Sequence, residues 1–172
     1  MLVVLAVWRP QQVLAFHLPT FLPLLLLAPF IGIVCILTEY LVGIMILFFR
    51  TGKIVTSVAV HSSYAAISQI AIMDILSILA LVIGEELIGR QLLYYLLAAE
   101  FAMAPSAVIV LCTVAYALNH LSFGIASVIS KLASGMLYVM LFYLSGCSIG
   151  VVILAHATQN LTLLASSRRT RS

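Results

Sequence analysis

Seven polar side chains stand out in a chain that has few, and their spacing is helical. Glu85, Glu86 and Arg90 fall within one apolar stretch, Tyr116 and His120 within the next, and His156 and Asn160 within the last. Glu86 and Arg90 are four positions apart with the acid first, the better order for an ion pair on one helix face. That pairing neutralises two charges in place. Glu85 is turned about 100° away from Glu86 and can reach a different neighbour. His156 and Asn160 share one face of their helix, and Tyr116 and His120 repeat the same spacing on another. Three helices thereby offer one free carboxylate, two imidazoles and one carboxamide to a common point.

These groups suit hydrolysis of an amide by water. A carboxylate in apolar surroundings is disfavoured in its ionised form and becomes a useful general base. A neighbouring imidazole can help orient and deprotonate the water. A second imidazole and an amide NH2 can donate to the oxyanion that forms on the carbonyl. No covalent nucleophile is required.

The elements that must position these residues are membrane helices. Of the 172 residues, 65% are hydrophobic and only 8% charged, with a mean hydropathy of +1.27. Soluble domains carry about a quarter charged residues; here eight Lys and Arg and five Asp and Glu cannot solvate a globule of this size. At about 20 residues per crossing, the length allows about five to seven spans. The alternation of a lipid-facing barrel is absent. The expectation is an all-α, polytopic transmembrane helix bundle, one domain over residues 1–172, enclosing a central polar cavity.

Along the chain, residues 1–19 are ambiguous, and the opening MLVVLAVW lacks the preceding basic residue of a secretory signal. Residues 12–49 fit either one long kinked span or two spans turning near Pro29 and Gly32. Arg50 and Lys53 mark a cytoplasmic loop by the positive-inside rule. Residues 54–69 read as a short, tilted or interfacial helix. Spans are then expected at about 70–98, 105–119, 125–144 and 149–164, an even number, which puts the basic tail of Arg168, Arg169 and Arg171 in the cytoplasm as well. Gly146 and Gly150 mark either a close helix approach or a turn. Cys35, Cys112 and Cys147 sit far apart in apolar runs and read as small hydrophobes, without disulfide or thiolate metal site.

Each polar residue also has a structural reading. Glu86 and Arg90 are read as a buried pair, and Glu85 can be a packing carboxylate. His120 can cap helix carbonyls, and His156 and Asn160 can bridge helices. Glu39, Asp74, His17 and His61 are assigned structural or interfacial roles, and Lys131 is expected to snorkel to an interface.

The three patterns Glu85-Glu86-x-x-x-Arg90, Tyr116-x-x-x-His120 and His156-x-x-x-Asn160, in this order over residues 85–160, resemble the CAAX protease and bacteriocin-processing family of glutamate-type intramembrane endopeptidases, whose motifs are EExxxR, FxxxH and HxxxN. The resemblance implies that Glu85 and His120 activate the water. His156 and Asn160 would form the oxyanion site, with Glu86 and Arg90 as supporting pair. Tyr116 stands where the family usually has Phe, keeping the ring and adding a hydroxyl able to take a new hydrogen bond. The motif core is placed at residues 70–165, and residues 1–69 match no motif.

The implied partners are the lipid bilayer and a membrane-anchored protein or peptide substrate: a CAAX-type tail, a leader or, as the favoured guess, a C-terminal sorting signal. The charge of +3 is too diffuse for nucleic acid. The expected location is a prokaryotic inner (plasma) membrane. No cofactor is expected; the alternative is a zinc ion on Glu85, His120 and His156, weighed against by the missing HExxH. The rival functions are a non-catalytic immunity or scaffold protein and a small transporter with a proton-coupled Glu/His pair.

Overall fold

The computed structural model describes residues 17–53 and 71–169, with side chains in the last helix described as far as Ser166. Five helices account for it. Helix α1 runs Pro23–Thr51, α2 Ile72–Glu86, α3 Pro105–Leu118, α4 Ile125–Leu144 and α5 Ile149–Arg169. No strand occurs among the described residues. Helices α1, α4 and α5 are long and apolar enough to cross a membrane, and α3 is a shorter apolar helix. His61 and the expected interfacial segment at 54–69 lie outside the described residues.

The ambiguity over residues 12–49 is settled, from Pro23 onward, in favour of one helix. Pro23 opens α1 where a missing N–H costs nothing. Pro29 lies inside the same helix without ending it, as membrane helices tolerate. Gly52 ends it, in a left-handed conformation (φ 66°) with its N–H bonded to the Phe48 carbonyl at 2.8 Å.

Helix α2 does not stop where its α-geometry does. It continues as a π-helix over Leu87–Leu92, one α turn over Leu93–Tyr95, and a second π-helix over Leu96–Glu100. Single π turns inside helices occur often at functional sites, and this one begins immediately after Glu86. Asp74 serves the start of α2, where its carboxylate accepts the Ala71 N–H at 2.8 Å.

Packing is inside-out relative to a soluble protein. Large apolar side chains such as Leu26 and Phe49 are 83% and 79% exposed, while Glu86, Arg90, His156 and Gln159 are buried. Helix α5 packs against α1 and α2, and α4 against α1 and α3. Gly32 makes the α1–α5 contact possible: a Cβ there would collide with the Ala155 carbonyl oxygen. Small residues allow such backbone approach between membrane helices. Gly146, by contrast, belongs to the turn between α4 and α5 (φ 74°), and a Cβ on Gly150 would meet open space, so this pair marks a turn. Cys35 and Cys112 are buried and all three cysteines are unpaired.

Candidate functional site

The centre of the bundle is an imidazole held between two acids. His156, on α5, donates from Nδ1 to Glu86 Oε1 at 2.7 Å. Its Nε2 faces Glu85 Oε2 at 3.9 Å. Adjacent carboxylates on α2 thus reach the two nitrogens of one ring, the divergence of about 100° between successive helical residues bringing one to each side. Glu86 is fully buried, whereas the Glu85 side chain keeps 19% of its surface accessible.

Glu86 also meets Arg90, as its spacing predicts. Arg90 Nη1 donates to Glu86 Oε1 at 3.3 Å, and Nε lies 3.3 Å from Oε2 as a charge contact without hydrogen-bond alignment. Arg90 is only 1% exposed and sits in the first π-helical stretch. Its guanidinium stacks on the Tyr116 ring, 4.2 Å from the centroid, a cation–π contact strengthened by desolvation. That explains what an aromatic ring does at this position. The added hydroxyl, able to take a new hydrogen bond, is buried without a partner among the described residues.

His120 lies in the turn after α3. Its Nδ1 donates to the Tyr116 carbonyl at 3.0 Å, so the expected carbonyl cap is present. The cap fixes the ring and leaves Nε2 with its lone pair when the imidazole is neutral. Burial holds His120 below its ordinary value of 6.5, with the Tyr116 carbonyl acting in the opposite sense. Its ring lies 5.0 Å from that of Tyr116, and Tyr116 lies 6.0 Å from His156. Tyr116 therefore neighbours both imidazoles. Beneath it, Gly135 on α4 leaves the necessary room, since a Cβ there would come within 2.7 Å of Tyr116 Cδ1.

Asn160 is buried, one turn after His156 on α5. Among the described residues no hydrogen bond joins it to Glu85, His120 or His156. The structure therefore brings Glu85, Glu86, Arg90, Tyr116, His120 and His156 into one contact chain and leaves Asn160 beside it.

A groove of about 420 Å³ opens on Glu85. Its walls are mostly apolar and come from α2, its π-helical continuation and α3, including Ala80, Gly84, Gly89, Ala115, Tyr116 and Asn119. Adding a Cβ to Gly84 or Gly89 would meet nothing within 4 Å, so both leave the groove wide. Asn119, one position before His120, was not singled out from sequence.

Lys131 does not snorkel. Its Nζ lies 2.7 Å from Glu39 Oε1 in the bundle interior, because a partner at hydrogen-bond distance outweighs a reach for the interface. His17 contributes its backbone carbonyl, which accepts the Ser148 hydroxyl at 2.8 Å. No cluster of three or more His, Cys, Asp and Glu side chains suited to a metal ion occurs among the described residues.

Residues 68–162, just over half of the chain, match the family described as type II CAAX prenyl endopeptidase, Rce1-like. No curated protein matches the chain, and no solved structure does.

Proposed function

The chain belongs to the type II CAAX prenyl endopeptidase Rce1-like family, and we propose that it hydrolyses a peptide bond of a membrane-associated substrate with water activated by Glu85 and His120. It is an integral membrane protein of a protease family; the catalytic roles and the substrate are our reading. The observation that carries it is the imidazole of His156 set between Glu86 at 2.7 Å and Glu85 at 3.9 Å, with Glu85 itself lining the groove.

In this reading Glu85 and the neutral Nε2 of His120 take up one water. Glu85 accepts a proton as the water oxygen bonds to the scissile carbonyl carbon. The carbonyl oxygen becomes an oxyanion, stabilised by His156 and Asn160. Collapse breaks the C–N bond, and Glu85 passes its proton to the departing amine. Because Glu86 can only accept, His156 keeps a proton on Nδ1; donation from Nε2 to the oxyanion calls for a proton on that nitrogen as well, with Glu86 as its counter-charge. The apolar groove suits an extended, apolar peptide segment, and a membrane-anchored C-terminal tail fits best, whether a sorting signal or a CAAX-type tail. The expected setting is a prokaryotic inner membrane with the C-terminus cytoplasmic.

The test is mass spectrometry of membrane proteins from cells with the wild-type chain and with Glu85→Gln, alongside the purified protein given a prenylated CAAX peptide. A new terminus that depends on Glu85 supports the protease. No product from either source, with solute flux into proteoliposomes or an unchanged phenotype in the variant, supports a transporter or a scaffold instead. A chelator in the peptide assay tests the zinc alternative on Glu85, His120 and His156.

A further inference from the structure

A second buried polar network adjoins the site, and none of its members belongs to the three motifs. Glu39 on α1 is 6% exposed. Its Oε1 accepts from Lys131 Nζ on α4 at 2.7 Å and from Gln159 Nε2 on α5 at 3.0 Å. The Gln159 carbonyl oxygen accepts in turn from the Tyr138 hydroxyl of α4. Tyr138 and Gln159 are fully buried. The Tyr138 ring lies 5.1 Å from that of His156, tilted by 30°. It also meets Tyr116 edge-on at 6.1 Å and has the Arg90 guanidinium 5.8 Å away.

Chemistry fixes the direction of this chain. The Glu39 carboxylate can only accept, so the NH2 of Gln159 points to it and the amide oxygen is left for Tyr138. Lys131 supplies the counter-charge that keeps Glu39 an acceptor. A buried ion pair is seldom the most stable filling for its volume, since apolar residues often serve as well or better. Stability alone thus gives no reason for Glu39 and Lys131. Their placement does: Gln159 stands between His156 and Asn160 on α5, and Tyr138 is the surface on which His156 leans.

We infer that the relay Lys131–Glu39–Gln159–Tyr138 is a positioning device for His156, setting the plane of the Tyr138 ring and the rotation of α5. It deepens the proposed function and rests on it. Helix α1, which lies outside the family match, thereby contributes to the active centre through Glu39. These four are positioning residues; they need not touch the substrate.

The experiment uses the full chain in nanodiscs, with 15N-labelled histidine for the His156 ring signals, thermal melting, and turnover of the prenylated CAAX peptide. Tyr138→Phe keeps the ring and deletes the relay bond. The expected result is a displaced His156 signal, kcat lower by about tenfold, KM within about twofold, and an almost unchanged melting temperature. Gln159→Leu behaves likewise, and the double variant is no worse than either single one, as coupled residues require. Lys131→Met lowers kcat and Lys131→Arg restores it. His156 signals unmoved by both Tyr138→Phe and Gln159→Leu overturn the relay, as do rate losses that add or that follow the melting temperature. If the wild-type chain cleaves no peptide, the proposed function fails at that point. The His156 signals then decide the positioning by themselves, and if one variant does not fold the other supplies them.

Discussion

Glu86 and Glu85 approach opposite nitrogens of His156, at 2.7 Å and 3.9 Å, so two consecutive residues of one helix share a single imidazole. Glu86 is thereby more than the partner of Arg90. It can only accept and so keeps a proton on Nδ1 of His156, while Nε2 is turned toward Glu85.

Removing the base tests the chemistry most directly. Glu85→Gln and His120→Ala are each expected to lower kcat by at least about 100-fold, the usual range for a positioned acid–base group. Melting temperatures in detergent should stay near wild type, since Glu85 is partly accessible and His120 lies in a turn. Cleavage at the wild-type rate in either variant contradicts the assignment.

Breaking the inner pair should act on the fold as well. Glu86→Gln leaves Arg90 buried without its counter-charge, a loss of about 3–5 kcal/mol for a buried pair. The expected outcome is a lower melting temperature and lost turnover together, measured on the same preparation. A variant that melts like wild type would mean that Arg90 finds another anion.

At Tyr116 the ring, not the hydroxyl, is expected to matter. Tyr116→Leu removes the surface on which Arg90 stacks at 4.2 Å, a contact worth about 2 kcal/mol when desolvated. It should therefore lose more stability and more activity than Tyr116→Phe. Gly135→Ala should resemble Tyr116→Leu, because its methyl group takes the place of the ring edge. Equal losses from Phe and Leu would assign the role to the unpartnered oxygen instead.

The pH profile reads His120. Its neutral form is the working one, and burial holds it below 6.5. As pH falls, activity should persist through the ordinary imidazole range and decline only further into acid. The measurement is kcat/KM of the peptide assay against pH; an acid limb centred at or above 6.5 would contradict a buried, neutral His120.

Groove width is open to a steric test. Gly89→Leu points a side chain into space that is now clear. KM should rise several-fold for a bulky apolar peptide and less for a slender one. A uniform fall in kcat with KM unchanged would place the substrate elsewhere.

How much of this was legible in the sequence depended on whether a relationship stayed within one helix. The Glu86–Arg90 pair, the ends of α3 and α4 and the convergence of α2, α3 and α5 followed from four-residue spacing, proline position and apolar run length. The Glu39–Lys131 pair did not, because its partners are 92 positions apart and no periodicity joins separate helices. Snorkelling was the natural expectation for a lysine whose acid was out of sight. Gln159 left a signal that could have been used: a further amide in an apolar span that already held His156 and Asn160. Tyr138 left none, since a tyrosine in a membrane helix reads as packing. Nor does hydropathy distinguish a π turn from an α turn.

That π turn constrains the gene as well as the protein. A wider turn accommodates one residue more than the regular coil, so the stretch Leu87–Leu92 behaves as an insertion that the helix has absorbed. Excising a single codon there should let the wide turn close to a regular α turn. Leu93, one wall of the groove, would then keep its face, while residues inside the turn, Arg90 among them, would shift against Glu86. A deletion of one amino acid should here spare the rest of the rod and fall on the buried pair.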